Sequence, residues 1–264
     1  MSVEYAAEQQ SLRRVALIVG ASRGIGAATA RAWARRGVAV VLAARDQHAL
    51  ESVVQSIRSE GGSAASVVAD VTEENSMRDL VHRTLSNFGR LDYAFNNATG
   101  GPRPAPVAEV EASGFDLALS ANVRGVFLGM KYQIPAMLDS GGGAVVNMAS
   151  AAALQPAAGL AGYVASKMGI VGLSAVAALD YADRGVRVNV VAPGPILTER
   201  LTAAGEQARM RLADSVPMAR LGTAAEVAET VMWLCSDAAS FITGVALPID
   251  GGMTAGQRPP QGRT

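Results

Sequence analysis

The sequence predicts a doubly wound α/β domain, and three observations carry that prediction. Seven short apolar runs alternate with segments of helical periodicity along 264 residues, the pattern of a parallel sheet covered on both faces. A glycine-rich turn, GASRGIG at 20–26, joins the first run to the first helical segment, where such sheets take up their ligands. No internal repeat, charge block or Pro/Gly-rich linker divides the chain. One α/β domain is therefore expected over residues 14–252, with a flexible arm at 1–13 and a flexible tail at 253–264.

VALIVG (15–20) is β-branched and free of charge, as a strand buried on both faces requires. ASRGIGAATARAWARRG then runs at helical period to Gly37, a suitable C-cap. VAVVLAA (38–44) is a second buried strand, and Asp46 starts a helix that ends at Gly61 and Gly62. Strand 63–69, helix 73–88, strand 91–96 and a long helix at 113–138 follow. Strand 144–148, helix 163–183, strand 187–191, a variable stretch, a helix near 225–236 and a last strand at 245–249 complete a seven-stranded parallel sheet.

Composition narrows the function. Half the residues are hydrophobic and 17% charged, which supports a sizeable core and argues against disorder. The formal net charge is zero, with no basic stripe, so nucleic acid is not an expected partner. The single cysteine, Cys235, lies in apolar VMWLC; it reads as a core residue and suits a reducing cytoplasm. His48 and His82 stand far apart with no second ligand at metal spacing, and no metal site is expected. The first residues carry Glu4 and Glu8 without an apolar run, so neither a signal peptide nor a membrane span is expected.

The chemistry gathers between Ser150 and Lys167. If the chain is helical from Gly162, Tyr163 and Lys167 form an i,i+4 pair on one face. A phenol is a poor base at neutral pH, and a cation held close by favours its ionised form. A serine on the preceding loop, Ser150, can hold the substrate oxygen that gains or loses the proton. This is acid–base equipment for a carbonyl/alcohol couple.

A hydride carrier is implied by the turn at 20–26. Gly20 permits a tight turn, and Gly24 and Gly26 let a pyrophosphate reach the N–H groups at the helix start. Ser22, Arg23 and Ile25 complete this phosphate-binding set. At the end of the second strand, Ala44 stands where an acid would bind a ribose hydroxyl, and Arg45 follows it. Arg45 and Arg23 make a clamp for a 2′-phosphate, so NADP(H) is favoured over NAD(H). Asp46 sliding in to bind the hydroxyls is the alternative, although it reads better as an N-cap. Asp70 and Val71, just past the third strand, are expected beside the adenine, with an N-cap or turn role for Asp70 as the alternative.

Taken in order, Gly20–Gly26, Asn96-Asn97-Ala98, Asn122, Ser150, Tyr163 with Lys167, and Pro193-Gly194 resemble the short-chain dehydrogenase/reductase family, from about Arg14 to Gly252. The resemblance implies a Rossmann-like domain with Tyr163 as general acid/base. Lys167 would assist it and bind the nicotinamide ribose, Ser150 would orient the substrate oxygen, and Asn122 would support a relay water. Asn96, Asn97 and Ala98 would line the cofactor, with Pro193, Gly194, Ile196 and Thr198 at its nicotinamide end. Two positions depart from the family pattern: Val19 replaces a frequent threonine, and Thr99 stands where glycine is usual. Residues 197–221 are expected to close the substrate pocket through Met210, Leu212, Val216 and Met218, with 100–107 and 154–160 as apolar walls.

The family also implies a homotetramer or homodimer. The expected activity is hydride transfer on an apolar or cyclic secondary alcohol/ketone, or a 3-oxoacyl-type substrate. An NAD-linked polyol or cyclic-diol dehydrogenase and a non-catalytic nucleotide-binding scaffold are the alternatives.

Overall fold

The computed structural model describes residues 13–256; residues 1–12 and 257–264, which hold most of the expected arm and tail, lie outside the described residues. Seven parallel strands form the main sheet: β1 (Val15–Val19), β2 (Ala39–Ala44), β3 (Ala64–Val68), β4 (Tyr93–Asn96), β5 (Gly143–Met148), β6 (Val186–Pro193) and, last in the chain, β9 (Ala246–Ile249). Their order is β3-β2-β1-β4-β5-β6-β9. β1 lies between β2 and β4, with Ile18 opposite Leu42 on one side and Phe95 on the other. The winding reverses across β1 and β4, and this opens the switch-point crevice.

Both faces of the sheet are covered because alternate residues of each strand feed separate cores. Leu17, Val19 and Val145 point to one side, where they meet α3 (Glu74–Phe88), α5 (Gly125–Asp139) and α6 (Ala161–Tyr181). Ala16, Ile18 and Val146 point to the other, against α1 (Gly24–Arg35), α2 (Gln47–Ser59) and α9 (Ala224–Cys235). This two-sided burial explains the continuous apolar runs. By length and composition the stretch Ala161–Arg184 would also cross a membrane. Here it is a core helix, with Ser166, Lys167 and Ser174 buried in the fold.

The long helix expected at 113–138 is interrupted. α4 (Ala112–Leu119) passes through a π-turn at Ser120–Arg124 before continuing as α5. A wide turn of this kind is invisible to helical periodicity and is common at functional sites. The variable stretch after β6 holds a second, two-stranded sheet, β7 (Ile196–Leu197) with β8 (Gly222–Thr223), and two short helices, α7 (Glu199–Ala203) and α8 (Glu206–Asp214). The chain stays anchored beyond residue 252. The Thr254 N–H and hydroxyl both donate to Asp250, at 2.8 and 2.6 Å.

At the amino edge of the sheet, Asp92 is fully buried. It accepts from Arg14 at 2.7 Å, from Arg90 at 2.6 and 2.8 Å, and from the Val15 N–H at 2.8 Å. Burial works against its ionisation, but these donors outweigh burial and hold its carboxyl below the usual range.

Candidate active site

The site lies at the carboxyl edge, beyond the ends of β1, β4, β5 and β6. Gly20 and Gly24 both have positive φ, +82° and +56°, which a side chain would strain. A Cβ on Gly26 would stand 2.2 Å from the Gly20 carbonyl oxygen, and one on Gly20 would stand 2.7 Å from Ala98 N. These two glycines are therefore demanded by the packing of α1 against the loop after β4. A Cβ on Gly24 would instead make ordinary contact with the side chains of Thr198, at 3.5 Å, and Glu199, at 3.7 Å. Asn97 donates through Nδ2 to the Gly20 carbonyl at 2.8 Å, so its side chain braces the glycine turn. Arg23 is the exposed N-cap residue of α1.

The residues expected to select the cofactor lie at the tips of β2 and β3. Arg45 is exposed. Asp46 caps α2, accepting from Ala49 N at 3.0 Å. Asp70 accepts from the N–H and hydroxyl of Thr72 at 2.9 and 2.8 Å. Burial resists its ionisation, but these bonds and the Arg45 charge hold its carboxyl below the usual range. Val71 packs against Gly125, where an added Cβ would be 3.1 Å away. Gly194 lies against Asp250, and Pro193 and Ile196 are buried at the end of β6 and in β7.

Asn96 does not line this cradle. It is buried and its amide is spent on the core: Nδ2 donates to Gln133 at 3.0 Å and Asn147 at 2.9 Å, while Oδ1 accepts from Gln133 at 2.9 Å. Asn147 continues the chain to Ser174 at 2.9 Å. The network ties β4 and β5 to α5 and α6.

Tyr163 and Lys167 are one turn apart on α6, with Lys167 Nζ 5.7 Å from the centre of the Tyr163 ring. Lys167 is 1% exposed, and Nζ donates to the Met148 carbonyl at 2.8 Å. Among the described residues no carboxylate pairs with it. Burial pushes its pKa down to about 7. Ser150 ends β5 and accepts from Ala152 N at 3.2 Å, which leaves its hydroxyl proton free to donate. Asn122 sits inside the π-turn, fully buried, with its amide bonded to Gly100, Thr99 and Ser166.

The two expected walls are joined. Ala105 N donates to the Gly159 carbonyl at 3.0 Å, and Ala105 bridges to Leu160. Over the pocket the apolar lid is sparser than expected, because Val216 is buried while Met210, Leu212 and Met218 are exposed. Met210 and Leu212 lie on α8, none of whose residues is buried, and Met218 lies in the loop that follows it. Val216 and Met218 line a cavity of about 330 Å³ with Arg220, Glu226 and Asp250, away from Tyr163. Cys235 is buried and its thiol is pushed up to about 12, consistent with packing rather than reactivity.

This donor set fits a nicotinamide dinucleotide. Gly20 and Gly24 keep the start of α1 without side chains, Arg23 and Arg45 are exposed beside it, and among the described residues the buried Lys167 ammonium has no counter-charge and lies one turn from the Tyr163 phenol. Sequence reasoning overlooked Thr99, Ser166 and the Met148 carbonyl as site partners. Only the position of Ser166 next to Lys167 was a signal in the sequence.

The family profile described as enoyl-(acyl carrier protein) reductase matches residues 20–254. The chain is 42% identical over 245 residues to an A-factor type γ-butyrolactone 1′-reductase (1S-forming) of Streptomyces virginiae, covering 91% of this chain and 95% of the relative. It is 41% identical over 242 residues to a cyclohexanol dehydrogenase of Acinetobacter sp. (strain SE19), covering 92% and 95%. Its fold superposes on the crystal structure of levodione reductase with a TM-score of 0.89 at 34% identity, over 92% of this chain and 98% of the other.

Proposed function

The chain belongs to the short-chain dehydrogenase/reductase family and is an oxidoreductase of CH–OH/C=O groups with a nicotinamide cofactor; on that premise we propose that its substrate is a neutral secondary alcohol or ketone on a small alicyclic ring. The observation that carries this reading is the uncompensated Lys167 ammonium one turn from Tyr163, between walls of small apolar residues. The alicyclic alcohol named for the Acinetobacter relative supports it.

The residues divide the work as follows. Ser150 donates a hydrogen bond from its hydroxyl to the substrate oxygen and fixes its position. Tyr163 gives that oxygen a proton as a ketone is reduced, or takes one as an alcohol is oxidised. Lys167, charged, stabilises the phenolate this leaves and returns the proton. The Asn122 amide is fully engaged, so a relay water would use its main-chain carbonyl. Gly20, Gly24, Gly26 and Asn97 shape the phosphate cradle, and Thr198 closes over Gly24. A nicotinamide dinucleotide, when bound, supplies the hydride donor or acceptor.

NADP(H) is the preferred cofactor. Asp46 and Asp70, the acids that would otherwise take ribose hydroxyls, each spend an oxygen on local backbone N–H groups, which leaves Arg45 and Arg23 facing the 2′ position. Exposed apolar side chains on and near α5 and α6, among them Phe127, Met168, Val176, Leu179 and Phe241, support a homotetramer or homodimer. The buried free thiol of Cys235 supports a cytoplasmic setting.

The test is a fluorescence titration with NADPH and NADH, followed by cyclohexanol oxidation in wild type and Tyr163→Phe. Tighter NADPH binding, with turnover lost in Tyr163→Phe at unchanged cofactor affinity, is the expected result. Tighter NADH binding would overturn the clamp, and binding of neither cofactor would return the protein to a scaffold role.

A further inference from the structure

We propose that Thr99 and Ser166 are positioning residues, which hold the substrate loop and the turn bearing Tyr163 together through the side chain of Asn122. The proposal rests on the oxidoreductase reading above. The Asn122 amide uses all four of its hydrogen-bonding positions. Oδ1 accepts from the Thr99 hydroxyl and from Gly100 N, both at 3.0 Å. Nδ2 donates to the Gly100 carbonyl at 2.9 Å and to Ser166 Oγ at 2.8 Å. Ser166 Oγ in turn donates to the Tyr163 carbonyl at 2.8 Å.

The path closes into a ring. Gly100 begins the loop that reaches Ala105, Ala105 is bonded to Gly159 and Leu160, and these lead directly into the first turn of α6 and Tyr163. Small residues leave little slack around the ring. A Cβ on Gly162 would meet Ala118 at 3.3 Å, and one on Gly169 would meet Val123 at 3.1 Å. Asn122 and Ser166 are fully buried, so no water can substitute for a lost partner without rearrangement. Thr99, standing where the family usually has glycine, adds a side-chain bond that glycine lacks. It fastens the mouth of the loop to the same amide that braces the tyrosine.

Two variants and two readouts test this. Hydrogen exchange of the peptide spanning 99–107 reads the ring without any substrate. Ser166→Ala and Thr99→Val should each speed exchange at Gly100 by about tenfold or more, with the β1 and β5 amides unchanged. In cyclohexanol oxidation with NADP⁺, Ser166→Ala should lower kcat about tenfold with little change in KM, because the tyrosine is misplaced. Thr99→Val should raise KM several-fold with kcat within about twofold, because the loop is loosened, and Thr99→Ser should restore it. Unchanged exchange in both variants would overturn the proposal, as would equal losses in kcat and KM that Thr99→Ser does not rescue. Thr99 is near the surface, so its variant decides the matter if Ser166→Ala does not fold. If exchange responds but wild type oxidises no alicyclic alcohol, the reaction reading fails while the ring stands.

Discussion

Two charges are buried at opposite ends of the same sheet, and the protein treats them in opposite ways. At the amino edge, Asp92 is surrounded by two guanidinium groups and a backbone N–H, and its carboxyl is held below the usual range. At the carboxyl edge, Lys167 has one carbonyl for company, and burial alone drives its pKa to about 7. The first arrangement satisfies every demand of a buried charge and fastens β4 to the start of β1. The second leaves a demand unmet, and a group left unsatisfied is available to something that binds later. The two buried charges thus separate by chemistry: the compensated one fastens the architecture, and the uncompensated one is the candidate functional group.

The comparison breaks most visibly at Lys167. Lys167→Met should lower turnover of an alicyclic alcohol by about 10³-fold or more, since the phenolate loses its cation. The ligand-free protein should nevertheless become more stable, by about 1–2 kcal/mol in urea unfolding near pH 7, because a desolvated ammonium has been removed. A variant both inactive and less stable would show that Lys167 is structural and would sink the contrast. Asp92→Asn is the mirror experiment. It should cost about 2–4 kcal/mol, because two arginines and an N–H lose their carboxylate, while kcat of the folded fraction stays near wild type. A large fall in kcat at full folding would mean that the amino edge reaches the chemistry.

What could be read from the sequence follows the same division. The strands were legible because both faces of the sheet are buried and each run is apolar without interruption, as in Val15–Val19. The glycine turn, Ser150, Tyr163 and Lys167 were legible because their chemistry depends on residue type and local spacing. The π-turn was hidden, since the segments on either side are apolar nearly all round and read as helix whatever the phase shift between them. The fate of Asn96 was hidden as well. Its partners Gln133 and Asn147 are 37 and 51 residues away, and only the folded register brings them to one point. Thr99 and Ser166 escaped for the same reason, their bonds to Asn122 spanning 23 and 44 residues.

The finest test of the contrast is pH. Lys167 has a folded-state pKa of about 7, below the value of 10.5 expected when unfolded. Between those limits the unfolded chain binds the proton that the folded chain has released. Stability of the ligand-free protein should therefore rise with pH above about 7, by up to about 1.4 kcal/mol per unit from this residue, until other groups titrate. Asp92 has a slope of the same sign in a lower window: its depressed pKa gives stability that is present above the unfolded value near 4 and lost as the solution is acidified. Urea midpoints at pH 7, 8 and 9 should climb in wild type and stay flat in Lys167→Met, whereas the acid limb below pH 4 should be shallower in Asp92→Asn alone. If the cofactor complex needs Lys167 charged, binding at pH 8 must also take up close to one proton. Calorimetric titration of NADPH in two buffers of different ionisation enthalpy would count it. Zero uptake in wild type would mean that the lysine stays neutral in the complex, and the assignment of the stabilising cation to Lys167 would fall.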